Sequence, residues 1–146
     1  MLHRTLISSF VIGASLVASS ATLAAPESPT IAQFLSIRTP GSVDIAPDGT
    51  VYFRDWPDGV NQLYRRPANS APTAPAKRLT DYADGLSSYS LAPNGKWITL
   101  SAAVGGNEDT NVWLLNTSTD EIKPILQNSA VQFSVNTWLQ DSSGFL

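Results

Sequence analysis

The chain of 146 residues contains no cysteine, and its only histidine, His3, lies at the very start. Without cysteine the chain forms no disulfide, has no thiol nucleophile and offers no site for a cysteine-linked lipid. The rest of the chain has no imidazole, which is the group that activates a catalytic serine. Basic residues are also scarce, nine against twelve acidic ones, so nucleic acid is not expected as a partner.

Residues 1–24 have the organisation of a secretory signal peptide. A short basic start precedes an apolar stretch, Leu6 to Leu23, that is rich in Ser, Gly and Ala. Thr22 and Ala24 supply the small side chains needed at a cleavage site, so cleavage is predicted after Ala24. An uncleaved membrane anchor is the alternative, but the run is short and serine-rich for a spanning helix. We therefore expect a bacterial periplasmic or secreted protein without membrane association after cleavage.

A phrase of the sequence occurs twice, at 42–50 and at 88–96. The copies read SVDIAPDGT and SYSLAPNGK, and their turn glycines, Gly49 and Gly95, lie 46 residues apart. A weaker third copy, TWLQDSSG, occupies 137–144. A period of this length is typical of stacked or circular arrays of β units.

Alternation of apolar and polar residues around the turns predicts four short antiparallel strands in each repeat. The predicted strands are Val43–Ile45, Val51–Phe53, Gln62–Arg65 and Lys77–Asp81 in the first repeat, and Tyr89–Leu91, Trp97–Leu100, Asn111–Leu115 and Ile122–Leu126 in the second. Aligning the repeats makes Val51–Phe53 equivalent to Trp97–Thr99. The same alignment makes Leu63-Tyr64 equivalent to Val112-Trp113. Four-stranded units at this interval are typical of β-propeller blades.

The sequence thus predicts an all-β fold, a partial β-propeller of two four-stranded antiparallel blades plus the start of a third, after a signal peptide and a short helix. The predicted divisions are the signal peptide at 1–24, a helical lead at 25–41, and an incomplete propeller at 42–146, with blades at about 42–82 and 88–127 and the start of a third at about 132–146. Thr30 and Gln33 have capping-box spacing at the start of the helix. Because the outer faces of a partial array stay exposed, we expect the chain to self-associate.

The sequence assigns no catalytic, cofactor-binding or metal-binding residue. The acidic segment Asn107–Asp109, with Asp81 and Asp84 elsewhere, lacks the spacing of an EF-hand, and a solvated hairpin tip is predicted at 107–109 rather than a calcium site. The pair Arg65-Arg66 is predicted to be a solvated strand edge rather than an anion site. Trp56 is predicted to pack over its own turn, with a place in a substrate passage as the alternative.

Five segments carry a family resemblance: FLSIR at 34–38, APDGTVYF at 46–53, DGVNQLY at 58–64, RLT at 78–80 and LAPNGKW at 91–97. They resemble the opening blades of secreted prolyl-oligopeptidase-type serine peptidases, which include dipeptidyl and acylaminoacyl peptidases. The resemblance implies a propeller that gates and orients peptide substrates for an α/β-hydrolase domain with a Ser, Asp and His triad. No triad residue can be placed in this chain, and Gly85–Tyr89 lacks the final glycine of a nucleophile elbow. The chain alone is therefore expected to be inactive.

Two other interpretations stay open. The Pro-Asp-Gly phrase also occurs in other periplasmic propellers, notably that of the Tol envelope system, which binds without catalysis. The peptidase interpretation is preferred because the repeats begin at Ser42, directly after the lead, whereas the Tol-type propeller follows a separate α/β domain. The third interpretation is a stand-alone interaction or sugar-binding propeller. A peptidase would carry a G-x-S-x-G elbow further along the polypeptide, whereas a binding propeller would not.

Overall fold

The computed structural model describes residues 28, 30–35, 41–71, 73–103, 105, 106, 109–128 and 130–146. The predicted signal peptide lies outside the described residues. The elements of the described part are α1 (Ile31–Leu35), β1 (Gly41–Ile45), β2 (Val51–Asp55), β3 (Gln62–Arg66), β4 (Lys77–Arg78), β5 (Ser88–Leu91), β6 (Trp97–Ala103), β7 (Thr110–Asn116) and β8 (Ile122–Leu126). Within this part, no helix has the length and apolar character needed to cross a membrane.

Helix α1 begins directly after Thr30, as the capping-box spacing predicts. The Gln33 amide donates to Thr30 Oγ1 at 3.1 Å, and the Thr30 amide donates to Gln33 Oε1 at 2.8 Å. These reciprocal bonds satisfy N–H groups that have no carbonyl partner in the first turn of a helix. The local sequence is therefore sufficient to set the start of this helix.

The strands form two four-stranded antiparallel sheets, in the orders β1-β2-β3-β4 and β5-β6-β7-β8. Each strand pairs with its neighbour in the sequence, so each sheet is a simple meander. A third unit begins near the end of the chain, where Trp138 pairs with Phe145 in an antiparallel bridge. The predicted all-β fold of two four-stranded blades and the start of a third is confirmed.

Strand β4 is shorter than predicted, because only Lys77 and Arg78 pair with β3. Two residues further on, the hydroxyl of Thr80 accepts the amide of Leu63 at 2.9 Å, where a strand carbonyl would otherwise bind. The same hydroxyl donates to Gln62 Oε1 at 2.7 Å. A buried side-chain network thus replaces the end of the backbone ladder.

The hydrophobic core lies between the two sheets. Tyr52 and Leu63 of the first sheet pack with Ile98, Leu100 and Leu115 of the second, and all five side chains are buried. Because the core is shared, each sheet depends on the other for the burial of one of its faces. The contact between the sheets, which we call the first interface, therefore carries most of the apolar burial in the described part.

The strands that follow the first two turns are offset by one residue from the alignment of the repeats. Ile45 pairs with Val51 across the first turn, whereas Leu91 pairs with Ile98 across the second, which is one residue longer. Val51 is therefore equivalent to Ile98, and the predicted alignment with Trp97 is wrong. Because side chains alternate along a strand, this offset moves every β6 side chain to the other face.

The second predicted alignment is confirmed. Tyr64 pairs with Phe53, and Trp113 pairs with Leu100, which is the residue equivalent to Phe53. Tyr64 and Trp113 therefore occupy matching positions on their sheets. The repeat regains its predicted alignment because β6 and β7 each extend one residue further towards their connecting loop than β2 and β3 do.

Candidate functional site

Tight turns with the same backbone hydrogen bond lie at one end of the two sheets. The Gly49 amide donates to Ala46 O in the first turn, and the Gly95 amide donates to Ala92 O in the second, both at 2.8 Å. The φ angles of the two glycines are 84° and 71°, in the left-handed region that disfavours a side chain. The Pro-Asp-Gly and Pro-Asn-Gly phrases therefore form the tight reversals that the sequence predicts.

The third turn has the same backbone hydrogen bond, with a serine in place of the glycine. The Ser142 amide donates to Leu139 O at 2.9 Å, and Ser142 has a φ of 60°. Ser142, and not Gly144, is thus the equivalent of the two turn glycines. Sequence comparison could have found this position from Asp141, which matches Asn94 in the preceding turn.

A side-chain oxygen closes each turn by accepting the amide two residues further on. The pairs are Asp48 with Thr50 at 2.8 Å, Asn94 with Lys96 at 2.9 Å, and Asp141 with Ser143 at 3.0 Å. The Thr50 amide and hydroxyl lower the pKa of Asp48, and the Ser143 hydroxyl and amide lower that of Asp141. These bonds favour the charged carboxylates, so both turns stay closed at neutral pH.

The first turn contacts the second and the second contacts the third, and we call these three turns the turn row. A Cβ atom on Gly95 would lie 2.8 Å from Cδ of Pro47 in the first turn. The Asn94 amide donates to Oγ of Ser142 in the third turn at 3.0 Å. The turn row therefore fixes the spacing between units, and the side-chain oxygens that close its turns are bonded to amides of the same turns.

An ion cluster joins the sheets beside the turn row. The Arg65 guanidinium donates to both carboxylate oxygens of Asp120, at 2.7 and 3.1 Å, and Lys77 Nζ lies 2.7 Å from the same carboxylate. Arg65 also donates to Thr117 O at 3.0 Å. Burial alone would raise the pKa of Asp120, but the hydrogen bond from Lys77 and the two positive charges outweigh it and lower that pKa.

The prediction that Arg65 and Arg66 form a solvated pair at a strand edge is wrong. β3 is an interior strand of its sheet, so adjacent side chains point to opposite faces. Arg65 enters the first interface, whereas the guanidinium of Arg66 lies 5.5 Å from the ring centre of Phe53 on the other face. The two arginines therefore have separate roles, an ion pair and a cation–π contact.

The face of the first sheet that points away from the second sheet is apolar and partly exposed. This head face carries the side chains of Val43, Ile45, Val51, Phe53, Tyr64 and Arg66. The rings of Phe53 and Tyr64 are stacked with centres 5.9 Å apart, and the segment 74–76 forms a wall beside them. The resulting groove of about 530 Å³ is suited to apolar protein contacts.

A polar cleft of about 350 Å³ lies at the end of the sheets opposite the turn row. We call this end the loop end. Arg54 lies in the cleft and donates to Ser87 O and, at 3.3 Å, to Ser42 Oγ. Asp84 accepts the amides of Gly105 and Gly106 at 2.8 and 3.1 Å. The cleft therefore has both a guanidinium and a carboxylate, each held in place by backbone groups.

Asp84 is the residue weighed as a calcium ligand that lies in this cleft. Trp56 is half-buried on the β2–β3 loop and is not among the residues that line the cleft. Asn107 and Glu108, at the predicted hairpin tip, lie outside the described residues. In the part of the chain that the structure describes, no three acidic or histidine side chains gather as metal ligands would. Ser87 precedes a strand rather than a helix, unlike the serine of a nucleophile elbow.

Comparison with known proteins gives a partial match. No protein-family model matches the chain. A stretch of 56 residues, 38% of the chain, is 39% identical to the Tol-Pal system protein TolB of Francisella tularensis subsp. tularensis (strain WY96-3418) and covers 13% of that protein. The crystal structure of TolB from Acinetobacter baumannii is similar at a TM-score of 0.48 and 23% identity, over 64% of this chain and 23% of that one.

The chain thus spans less than a quarter of the length of either TolB protein. The matched stretch nevertheless distinguishes between the interpretations that the repeats leave open. It is similar in sequence to a Tol-Pal system protein, so it favours the Tol-type propeller over the serine peptidase, which the sequence alone preferred.

Proposed function

We propose that the chain is part of a periplasmic β-propeller of the Tol type, which binds protein components of the Tol-Pal system and performs no catalysis. The observation that carries this proposal is the 39% identity with TolB over 56 residues. The predicted signal peptide at 1–24 supports the periplasmic location. A propeller fold by itself hosts many functions, so the support for this one comes from the sequence match.

The loop end is the surface that we assign to the protein partner. Binding residues are concentrated on loops that a rigid scaffold positions, and the two sheets supply that scaffold. At the turn row, by contrast, the side-chain oxygens of Asp48, Asn94 and Asp141 each accept an amide of their own turn. The cleft with Arg54 and Asp84 presents both signs of charge, which suits a polar protein surface.

The proposal is tested by titrating the purified chain with purified Pal in a calorimeter. Ser87 and Ser118 form a matched pair, since both are exposed serines and lie at opposite ends of the sheets. We expect Ser87→Lys, in the cleft, to weaken binding at least tenfold, and Ser118→Lys, beside the turn row, to leave it unchanged. Circular dichroism checks that both variants stay folded.

Two results would overturn the proposal. One is the failure of the folded chain to bind Pal at any concentration tested. The other is hydrolysis of peptide substrates that a serine-directed inhibitor abolishes, which would restore the peptidase interpretation. Equal effects of the two serine variants would contradict the assignment to the loop end but would leave the binding function in place.

A further inference from the structure

Arg54 differs from the other arginines in the part of the chain that the structure describes. Arg65 and Arg78 each contact a carboxylate, and the guanidinium of Arg66 lies over the ring of Phe53. Among the described residues Arg54 has neither kind of partner, and it lies half-buried in the cleft at the loop end. Burial removes water from a charged group, so a buried cation is normally paired with an anion. The pairing of Arg54 is thus incomplete.

The two edges of the Arg54 guanidinium are used unequally. On one edge, Nη1 donates to Ser87 O. On the other edge, Nη2 donates to Ser42 Oγ at 3.3 Å, which is long for a hydrogen bond. The buried Nε beside it has no hydrogen-bond partner among the described residues. The N–H groups of Nε and Nη2 are parallel and match the spacing of two carboxylate oxygens, so this edge has the geometry to bind a carboxylate.

Ser42 reaches this edge through an unusual backbone conformation. Its φ of 48° is in the left-handed region, and the pairing of β1 with β2 is irregular between Gly41 and Val43. The Tyr89 hydroxyl donates to Ser42 O at 2.6 Å and holds the irregular segment in place. Irregularities of this kind redirect side chains and are frequent beside binding sites. The Ser42 hydroxyl is thus held at the position that one carboxylate oxygen would take.

Asp84 is the second charged residue that lines the cleft, and its carboxylate is bonded elsewhere. Asp84 Oδ2 accepts two amides of the β6–β7 loop at 2.8 and 3.1 Å. No ion pair between described residues joins it to Arg54. The Leu86 amide donates to Asn61 O at 2.7 Å, which joins the β2–β3 loop to the connection between the sheets. The walls of the cleft are therefore packed on each other before a ligand binds.

We propose that Arg54 binds a carboxylate of the protein partner through Nε and Nη2, and that this carboxylate displaces the Ser42 hydroxyl. Hydrogen bonds between charged groups are about twice as strong as neutral ones. Two such bonds would replace one long bond and one unsatisfied N–H, so the exchange favours binding. The assignment of the carboxylate to a protein partner rests on the proposed function, whereas the carboxylate site itself does not.

The first test follows the Nε–H signal of Arg54 by nuclear magnetic resonance in the unaltered chain. The probes are N-acetylaspartic acid α-amide, which has a side-chain carboxylate, and N-acetylglycine, which has a chain-terminal one. We expect a saturable downfield shift of the signal, and no shift with the neutral N-acetylasparagine α-amide. The acid that binds more tightly identifies the source of the carboxylate. Failure of both acids to shift the signal would overturn the proposal.

The second test is a calorimetric titration with purified Pal. Arg54→Lys keeps the charge but loses the planar edge, so it should weaken binding about tenfold. Arg66→Lys is the matched control, because Arg66 also has a buried Nε without a partner among the described residues but lies over Phe53 on the other face of the sheet. It should leave binding unchanged. Ser42→Ala removes the competing hydroxyl and should tighten binding about two- to threefold. Circular dichroism checks that the variants stay folded.

The outcomes separate this site from the proposed function. Unchanged Pal binding in Arg54→Lys, or equal losses in Arg54→Lys and Arg66→Lys, would overturn the carboxylate site and leave the proposed function in place. A chain whose Arg54 signal responds to the acids but which does not bind Pal would retain the site and overturn the proposed function. Weaker binding in Ser42→Ala would contradict the displacement of its hydroxyl.

Discussion

The first interface joins the two sheets, and a second interface joins the second sheet to the third unit. The first is built from apolar side chains with the Arg65–Asp120 ion pair at its edge. The second contains buried Thr99 and Ser101, and the indole of Trp138 donates to Ser90 O across it at 3.0 Å. Both interfaces lie beside turns of one construction. Similar backbone geometry therefore tolerates very different contacts between units.

The largest expected effect breaks the first interface. Leu100 is fully buried there, so Leu100→Ala should lower the free energy of unfolding by about 3 kcal/mol through lost burial and a residual cavity. Leu139→Ala makes the same chemical change at a side chain that is 40% exposed, and should cost less than about 1 kcal/mol. Urea unfolding followed by tryptophan fluorescence measures both. Equal losses would show that the third unit is packed as tightly as the core.

The next effect disturbs the turn row. Gly95→Ala should cost about 2 to 3 kcal/mol, because its positive φ disfavours alanine and the new Cβ would approach Pro47. Gly59→Ala is the control, with a similar φ of 82° and no atom within 4 Å of its Cβ position. It should lower the free energy of unfolding by only about 1 kcal/mol, which is the cost of the backbone conformation alone. Thermal unfolding compares them, and equal shifts would mean that contact between turns contributes nothing.

A smaller effect is expected when a half-buried ion pair is compared with an exposed one. Asp120 and Arg65 have side chains only 24% and 22% exposed, so Asp120→Asn should cost about 1 kcal/mol at pH 7. Glu121 and Lys123 form a pair that is 56% and 64% exposed, and Glu121→Gln should cost at most a few tenths of a kcal/mol. Urea unfolding at low salt gives both values, and an Asp120 effect no larger than that of Glu121 would contradict the assignment.

The pH dependence of this effect follows from the lowered pKa of Asp120. A carboxylate with a lower pKa in the folded state stabilises the fold above its unfolded pKa of about 3.9. That contribution is lost as the pH falls through the folded value. The difference between wild type and Asp120→Asn should therefore be largest near neutral pH and disappear in acid.

The smallest effect probes the second interface. Trp138→Phe removes the hydrogen bond to Ser90 O but keeps an aromatic ring beside Phe145, so it should cost about 1 kcal/mol or less. The loss should be local to the third unit. Hydrogen exchange should quicken at the Leu146 amide, which donates to Thr137 O at 2.9 Å, and stay unchanged at Leu63. Faster exchange at both amides would mean that the units unfold together.

Much of the fold could be predicted from the sequence because the information is local. The turn phrases and the alternation around them place the strands, and Thr30 with Gln33 sets the helix start. The offset of β6 could not be predicted from the turn phrases, because they match residue for residue as far as Gly49 and Gly95. The extra residue of the second turn follows Gly95, so it shows only in the pairing of Leu91 with Ile98.

The candidate sites were less accessible, because their partners lie far apart in the sequence. Arg65 and Asp120 are 55 residues apart and meet only when the sheets pack. The separate roles of Arg65 and Arg66 follow from an interior position of β3, which a strand of mixed composition does not reveal. The cleft at Arg54 likewise depends on a carbonyl of Ser87 supplied by another loop.

The turn row sets the distance between successive units. Gly95 meets Pro47, and the Asn94 amide reaches Ser142, so each added unit finds its spacing from the turn before it. Side chains on the faces between units are then free to diverge, as the apolar first interface and the polar second interface have done. A duplicated unit that keeps its turn is therefore positioned correctly before its faces have adapted to a neighbour. The sequence of a repeat can then diverge while its period is conserved.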